Sequence, residues 1–321
     1  MHLFPERLYM STKTKSYTKQ SFISLFNSIA RHKHRYSVFT DFVSMSAIAL
    51  HNAINKNQKL EDEYLAIVAR YSKEELNEFC ELLANFVELM NPEPADVLGS
   101  LYMELELGNL NNGQFFTPHE ISLLMAKMVY GDVLDSMKRS NKPFITLSEP
   151  TCGAGGMVLA FANEMLKKGI NPAEKLYVQC IDIDRLAGLM CYLQLTLWHI
   201  PAEIIIGDTL TMDFREVYYT PSYYLGDWDS RLRIRRFTEA VAEFWEPGTA
   251  PKAEASSENH DDFITELLET GDQNLGMKEP ASVVVEEIVS LIEPATNIKI
   301  QKKGDSKNDL QADIFDFLIE H

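Results

Sequence analysis

Apolar residues recur every three or four positions from Lys19 to about Leu107, in FISLFNSIA, in FVSMSAIALHNAI and in ELNEFCELLANFVELM. That spacing lines one face of a helix. Asn91, Pro92 and Pro94 interrupt the run, and a further helix from about Ala95 to Leu107 leads into a turn rich in Gly and Asn between Gly108 and Gly113. The first third of the chain is therefore expected to be helical. From about Phe144 the period changes: short strand-like runs FITLS, LYVQCID and AEIIIGD alternate with helical stretches such as MVLAFANEMLKK and RLAGLMCYLQLTLWH. The alternation predicts βαβ units and a parallel sheet. From Pro247 to about Pro280, Gly, Ser, Pro and acidic residues read as a linker, beyond which SVVV and NIKIQ are the only strand candidates among short helical pieces. The expected division is a helical domain over 1–112, an α/β domain over 113–246 and an acidic linker and tail over 247–321.

With 321 residues and 45% hydrophobic composition, the chain can bury one large α/β core and a helical appendage. No basic, apolar leader opens it, and the apolar stretch from Val38 to Ile54 is broken by Asp41 and His51, so a soluble, cytoplasmic protein without membrane spans is expected. Cys80, Cys152, Cys180 and Cys191 form no C-x-x-C pair and have no neighbouring histidine, so neither zinc nor a disulfide framework is expected. The net charge of -17 opposes DNA phosphates. Its distribution alters the picture: residues 237–321 hold 6 basic and 19 acidic side chains, whereas 111–236 hold 13 and 14. A balanced body can still meet DNA through local basic patches, with a partner subunit supplying further affinity.

The strongest local feature is FITLS running into Glu149-Pro150-Thr151-Cys152-Gly153-Ala154-Gly155-Gly156 and then a helix. Glycine permits a tight turn and close ligand approach at a strand's carboxyl end, where open α/β sheets bind cofactors. The next strand ends on Asp182, suited to accept hydrogen bonds from ribose hydroxyls, and the third closes on Asp208, suited to an adenine amino group. Asp182 could instead cap the following helix, although Asp184 fits that role better. A dinucleotide fits poorly because Val158 stands where the third glycine of the fingerprint belongs, and Met157-Val158-Leu159 lacks the Lys and hydroxyl of a phosphate loop.

Gly113-Gln114-Phe115-Phe116-Thr117-Pro118, followed in order by EPTCGAGGM, CIDID and GDTL, resembles the modification subunits of type I restriction systems, a branch of the N6-adenine DNA methyltransferases. The resemblance covers about Thr18 to Asp229. It implies a Rossmann-like S-adenosylmethionine-dependent methyltransferase fold with a helical N-terminal domain. It also implies cofactor contacts from Gln114, Phe115, Phe116, Thr117, Pro118 and His119, from Glu149, Thr151, Gly153, Ala154 and Gly155, and from Asp182 and Asp208. The implied activity is S-adenosylmethionine-dependent N6 methylation of adenine in DNA, within a restriction-modification or mobile-element system, beside a specificity or restriction subunit.

In that family an Asn or Asp, two prolines and an aromatic residue hold the target base. The amino group's lone pair is delocalised into the ring, so acceptors must localise it toward the methyl donor. Here the corresponding place, after Val217-Tyr218-Tyr219, reads Thr220-Pro221-Ser222-Tyr223. Thr220, Pro221 and Tyr223 are thus the catalytic candidates, with a structural turn as the alternative, since a hydroxyl is a poorer acceptor than an amide or carboxylate. Arg231, Arg233, Arg235 and Arg236 could contact phosphates or form a solvated helix face. A different class of function is a non-catalytic S-adenosylmethionine-binding or DNA-mimicking protein that acts on a methyltransferase complex, which the acidic tail would suit.

Overall fold

The computed structural model describes residues 17–107, 116–140 and 143–244. Gln114, Phe115, all of the Gly- and Asn-rich turn and the acidic linker and tail lie outside the described residues, SVVV and NIKIQ included. Chain contacts place residues 17–234 in one unit and 235–244 in another.

Five helices come first: α1 (Lys19–Ser28), α2 (Arg35–Ile54), α3 (Gln58–Val68), α4 (Lys73–Met90) and α5 (Val97–Glu104). Their starts follow from capping side chains. Thr18 and Ser72 each close a capping box, with Ser21 and Glu75, and Asn57 accepts from the first N–H groups of α3. From Val38 to Asn52 almost every residue of α2 is buried, as expected of a helix apolar on all sides. Both α3 and α9 (Arg185–Leu197) pack on it. Its buried Asp41 is satisfied by the Tyr71 hydroxyl at 2.7 Å and by Arg70 at 3.1 Å. Among the described residues no helix is long and apolar enough to cross a membrane.

The α/β part runs α6 (His119–Ser140), β1 (Ile145–Glu149), α7 (Gly156–Lys167), α8 (Pro172–Lys175), β2 (Leu176–Asp182), α9, β3 (Ala202–Asp208), β4 (Asp213–Tyr219), α10 (Pro221–Leu225) and α11 (Trp228–Phe244). The sheet order is β1-β2-β3-β4, with the first three strands parallel and β4 antiparallel to β3. Strand alternation sets the layers. Leu176, Val178 and Cys180 of β2 and Ala202, Ile204 and Ile206 of β3 join the main core with α7 and α9, while Tyr177 points to the other face and packs on Trp228 and Phe144. The main core is continuous, running from Phe22 and Phe39 in the helices to Ile206 and Tyr218 in the sheet. Arg185 ties the layers polarly, donating to both Glu63 oxygens, to Glu216 and to the Tyr218 hydroxyl.

Two consequences of this topology bear on function. Because β4 reverses direction, Asp213 faces Asp208 and Tyr219 faces Glu203, so the chain leaves the sheet at the amino ends of the parallel strands. Among the described residues, no strand pairs with the outer edge of β1. On the helix side, α9 lies against β2 and β3, α7 against β1, and α6 against α7. Ser122, Ala126, Leu134 and Met137 of α6 are buried, whereas Ile121, Leu124, Met125, Met128, Val129 and Val133 form an exposed apolar stripe in which Met128 is 77% exposed.

Candidate functional site

The carboxyl ends of the three parallel strands are laced together by short polar contacts. After β1 the chain turns through Gly153 at φ 54° and Gly155 at φ 92°, both in the left-handed region that favours glycine. The Cys152 N–H donates to the Ile181 carbonyl at 2.8 Å, and the Gly153 N–H donates to Asp182 Oδ2 at 2.7 Å. Asp182 Oδ1 accepts the Asp184 N–H at 2.9 Å, and Asp184 in turn caps α9 through the Leu186 N–H. The Thr209 hydroxyl donates to the Pro150 carbonyl at 2.6 Å, joining the β3 and β1 tips across β2. The Ile183 N–H also bonds to Asp182, and a carboxylate with about four acceptor positions can still take a further donor.

The three tip acids differ in environment. Burial raises the Glu149 and Asp182 carboxyls above the usual range, opposed at Glu149 by the Thr151 N–H and at Asp182 by the N–H groups of Asp184 and Gly153. Asp208 is half-buried, and the Leu210 N–H, with help from Thr211, holds its carboxyl below that range.

Phe116 closes the loop from the α6 side. Its ring packs edge-on to Tyr102 with centroids 5.4 Å apart, and a Cβ on Gly153 would come within 3.3 Å of it. Thr117 and Pro118 are exposed, and Pro118 accepts from the first N–H groups of α6. His119 and Ser122 stand in the first turn of α6, where His119 Nδ1 and Ser122 Oγ are buried without a hydrogen-bond partner. A Cβ on Gly156 would stand 3.7 Å from that Ser122 oxygen. Orphaned polar atoms beside a glycine turn are where a polar ligand gains most, since leaving them unpaired costs free energy.

Two residues outside the sequence-level candidates hold this loop from beneath. Gln194 of α9 donates to the Ala154 carbonyl at 2.7 Å and to Asp96 Oδ1 at 2.9 Å, and its oxygen accepts the N–H groups of Val97 and Leu98. Asp96 caps α5 through the Gly99 N–H at 2.7 Å, and its burial raises its carboxyl above the usual range. A polar Gln inside the largely apolar LMCYLQLTL is the signal that could have marked it.

Residues 95–255, half of the chain, match the family model of the N-6 DNA methylases. The chain belongs to the N-6 DNA methylase family. No curated protein sequence matches it. Among solved structures it is similar to a class I S-adenosylmethionine-dependent methyltransferase from Listeria monocytogenes, at 16% identity over 60% of this chain with a TM-score of 0.32. This chain spans 54% of that protein's length.

Within this N-6 DNA methylase chain, Phe116, Gly153, Ala154, Gly155 and Asp182 come together, with Glu149, Thr151 and Asp208 at adjoining strand tips. Thr220, Pro221 and Tyr223 do not join them. Thr220 is fully buried beside Ala202, where its hydroxyl donates to the Ile200 carbonyl at 2.8 Å and accepts the Ala202 N–H at 2.9 Å. Ala202 opens β3 and Asp208 closes it, so the two ends are roughly 20 Å apart at about 3.3 Å per residue. Pro221 starts α10, and Tyr223 packs against Tyr219 with ring centroids 4.5 Å apart. The reversal of β4 carries this segment to the amino end of the parallel strands, opposite the glycine loop. Three of the four arginines are engaged within the chain. Arg231 stacks over Trp228 at 4.3 Å, Arg233 pairs with Asp229, and Arg235 pairs with Glu239 at 2.7 Å.

Proposed function

We propose that this chain binds S-adenosylmethionine at the carboxyl ends of β1 to β3 and serves N6-adenine methylation of DNA in a restriction-modification system. The observation that carries the reading is the Gly153–Asp182 hydrogen bond within a left-handed glycine turn, beside the orphaned polar atoms of His119 and Ser122. These groups fit the cofactor chemically. The loop offers close backbone approach, Asp182 and Asp208 offer acceptors for ribose hydroxyls and an adenine amino group, and the first turn of α6 offers unpaired polar atoms to the amino-acid end. When bound, the cofactor supplies a methyl group on a sulfonium, already an excellent donor. The chain's own work is to bind, orient and exclude water.

Thr220, which the resemblance aligns with the family's acceptor for the base's amino hydrogens, sits at the other end of the sheet. This favours a partner-dependent form of the reading, in which another polypeptide completes the acceptor side next to β1. Support comes from the open β1 edge and from the exposed stripe from Ile121 to Val133 on α6, because an unpaired strand edge and a contiguous apolar patch each mark an interaction surface.

The test is calorimetric titration of the purified chain with S-adenosylmethionine, followed by tritiated methyl transfer to mixed-sequence DNA. Binding with transfer establishes a self-sufficient enzyme. Binding without transfer supports the partner-dependent form, and an absence of binding overturns both.

A further inference from the structure

Behind the glycine loop, cysteines from three elements converge. Cys152 opens the loop, Cys180 stands near the carboxyl end of β2, and Cys191 lies in the second turn of α9. Their sulfurs all lie within 4.8 Å of one another, and all three side chains are buried. The backbone enforces this meeting. The Cys152 N–H is tied to the Ile181 carbonyl, and a Cβ on Gly155 would come within 3.0 Å of Cys191 Sγ, so glycine there leaves room for the sulfur.

We propose that Cys152, Cys180 and Cys191 form a binding site for one thiophilic ion held by three sulfurs. Three thiolates around an ion with bonds of about 2.3 Å stand about 4.0 Å apart, so the observed spacing closes with movements of less than ~1 Å per sulfur. Among the described residues no histidine or carboxylate joins the three within that distance, which disfavours the closed tetrahedral arrangement of structural zinc. Soft sulfur donors select soft ions.

Charge narrows the choice further. The carboxyl groups of Glu149 and Asp182 bear on the cysteines and add to the negative charge of three thiolates instead of offsetting it. Each thiol loses a proton on binding. A monovalent ion therefore leaves two negative charges in the interior, a divalent ion leaves one and a trivalent centre leaves none, and uncompensated charge is costly there. Arsenic(III) is held most tightly, a divalent ion such as cadmium next, and copper(I) least. With arsenous acid the exchange balances without oxidation: three As–O bonds break, three As–S bonds form, and the thiol protons leave with the hydroxides as three waters.

The test titrates the reduced, chelator-treated full chain with arsenite, cadmium and copper(I), counting bound ion by mass. The expected result is one equivalent with arsenite tightest, unchanged in Cys80→Ser and weakened at least tenfold in Cys180→Ser and in Cys191→Ser. Uptake that survives both substitutions, or depends on Cys80, overturns the proposal. Because serine in the core can unfold the chain, arsenic-edge X-ray absorption on the unaltered protein gives a second reading. Three sulfur neighbours support the site, and fewer reject it.

Discussion

Gln194 donates its side-chain N–H to the carbonyl of Ala154 at 2.7 Å, so the helical layer holds the glycine loop directly. The same amide serves Asp96, Val97 and Leu98. Replacing Gln194 by Leu strands these buried groups together, and each unsatisfied group costs about 1–3 kcal/mol. Urea denaturation of Gln194→Leu should therefore lose at least about 2 kcal/mol, and cofactor affinity should fall with it. A variant as stable as the parent would mean the loop is held some other way.

Asp96 gives a pH signature. Burial raises its folded-state value above the ordinary carboxylate range. A raised value means that its contribution is fully present below the unfolded carboxyl value and is lost as pH rises through the folded one. Stability should accordingly decline with rising pH across that window. In Asp96→Asn, where the cap to Gly99 can still form, the decline should flatten, and parallel stability curves for the two proteins would refute the assignment.

Thr220 is an anchor between β3 and β4, with its hydroxyl engaged on both sides. Thr220→Asn enlarges a fully buried side chain and should destabilise by about 1–3 kcal/mol, with no gain in methyl transfer. Thr220→Ser, which keeps the hydroxyl, should cost less. A rise in transfer activity in the asparagine variant would restore a catalytic role.

Much of this was legible in the chain itself. The change of apolar period near Phe144 marks the passage from helices to βαβ units, and the strand–glycine–helix order places Gly153, Asp182 and Asp208 at strand tips. The sequence does not disclose the direction of β4. Its residues DFREVYY alternate equally well in a parallel or an antiparallel strand, and only pairing with β3 decides which end of the sheet receives Thr220. Nor does linear spacing reveal that Cys152, Cys180 and Cys191 meet, because strand pairing and the packing of α9 bring them together.

The α6 stripe makes a prediction independent of the cofactor. Met128 and Leu124 are exposed, so replacing both by Glu removes little packing and should change stability by no more than about 0.5 kcal/mol per site. Fluorescence of a hydrophobic dye bound to the folded chain should drop markedly. Substantial unfolding of the double variant would mean that the stripe is already covered.

The central claim is that the turn at Gly153 and the carboxylate of Asp182 form one cofactor site. The most direct measurement is calorimetric titration with S-adenosylmethionine of the parent chain, Asp182→Ala and Gly153→Val. The account predicts one saturable site in the parent and affinity reduced at least tenfold in both variants, since valine would meet the Phe116 ring at a left-handed φ. Undiminished binding in both folded variants would contradict it.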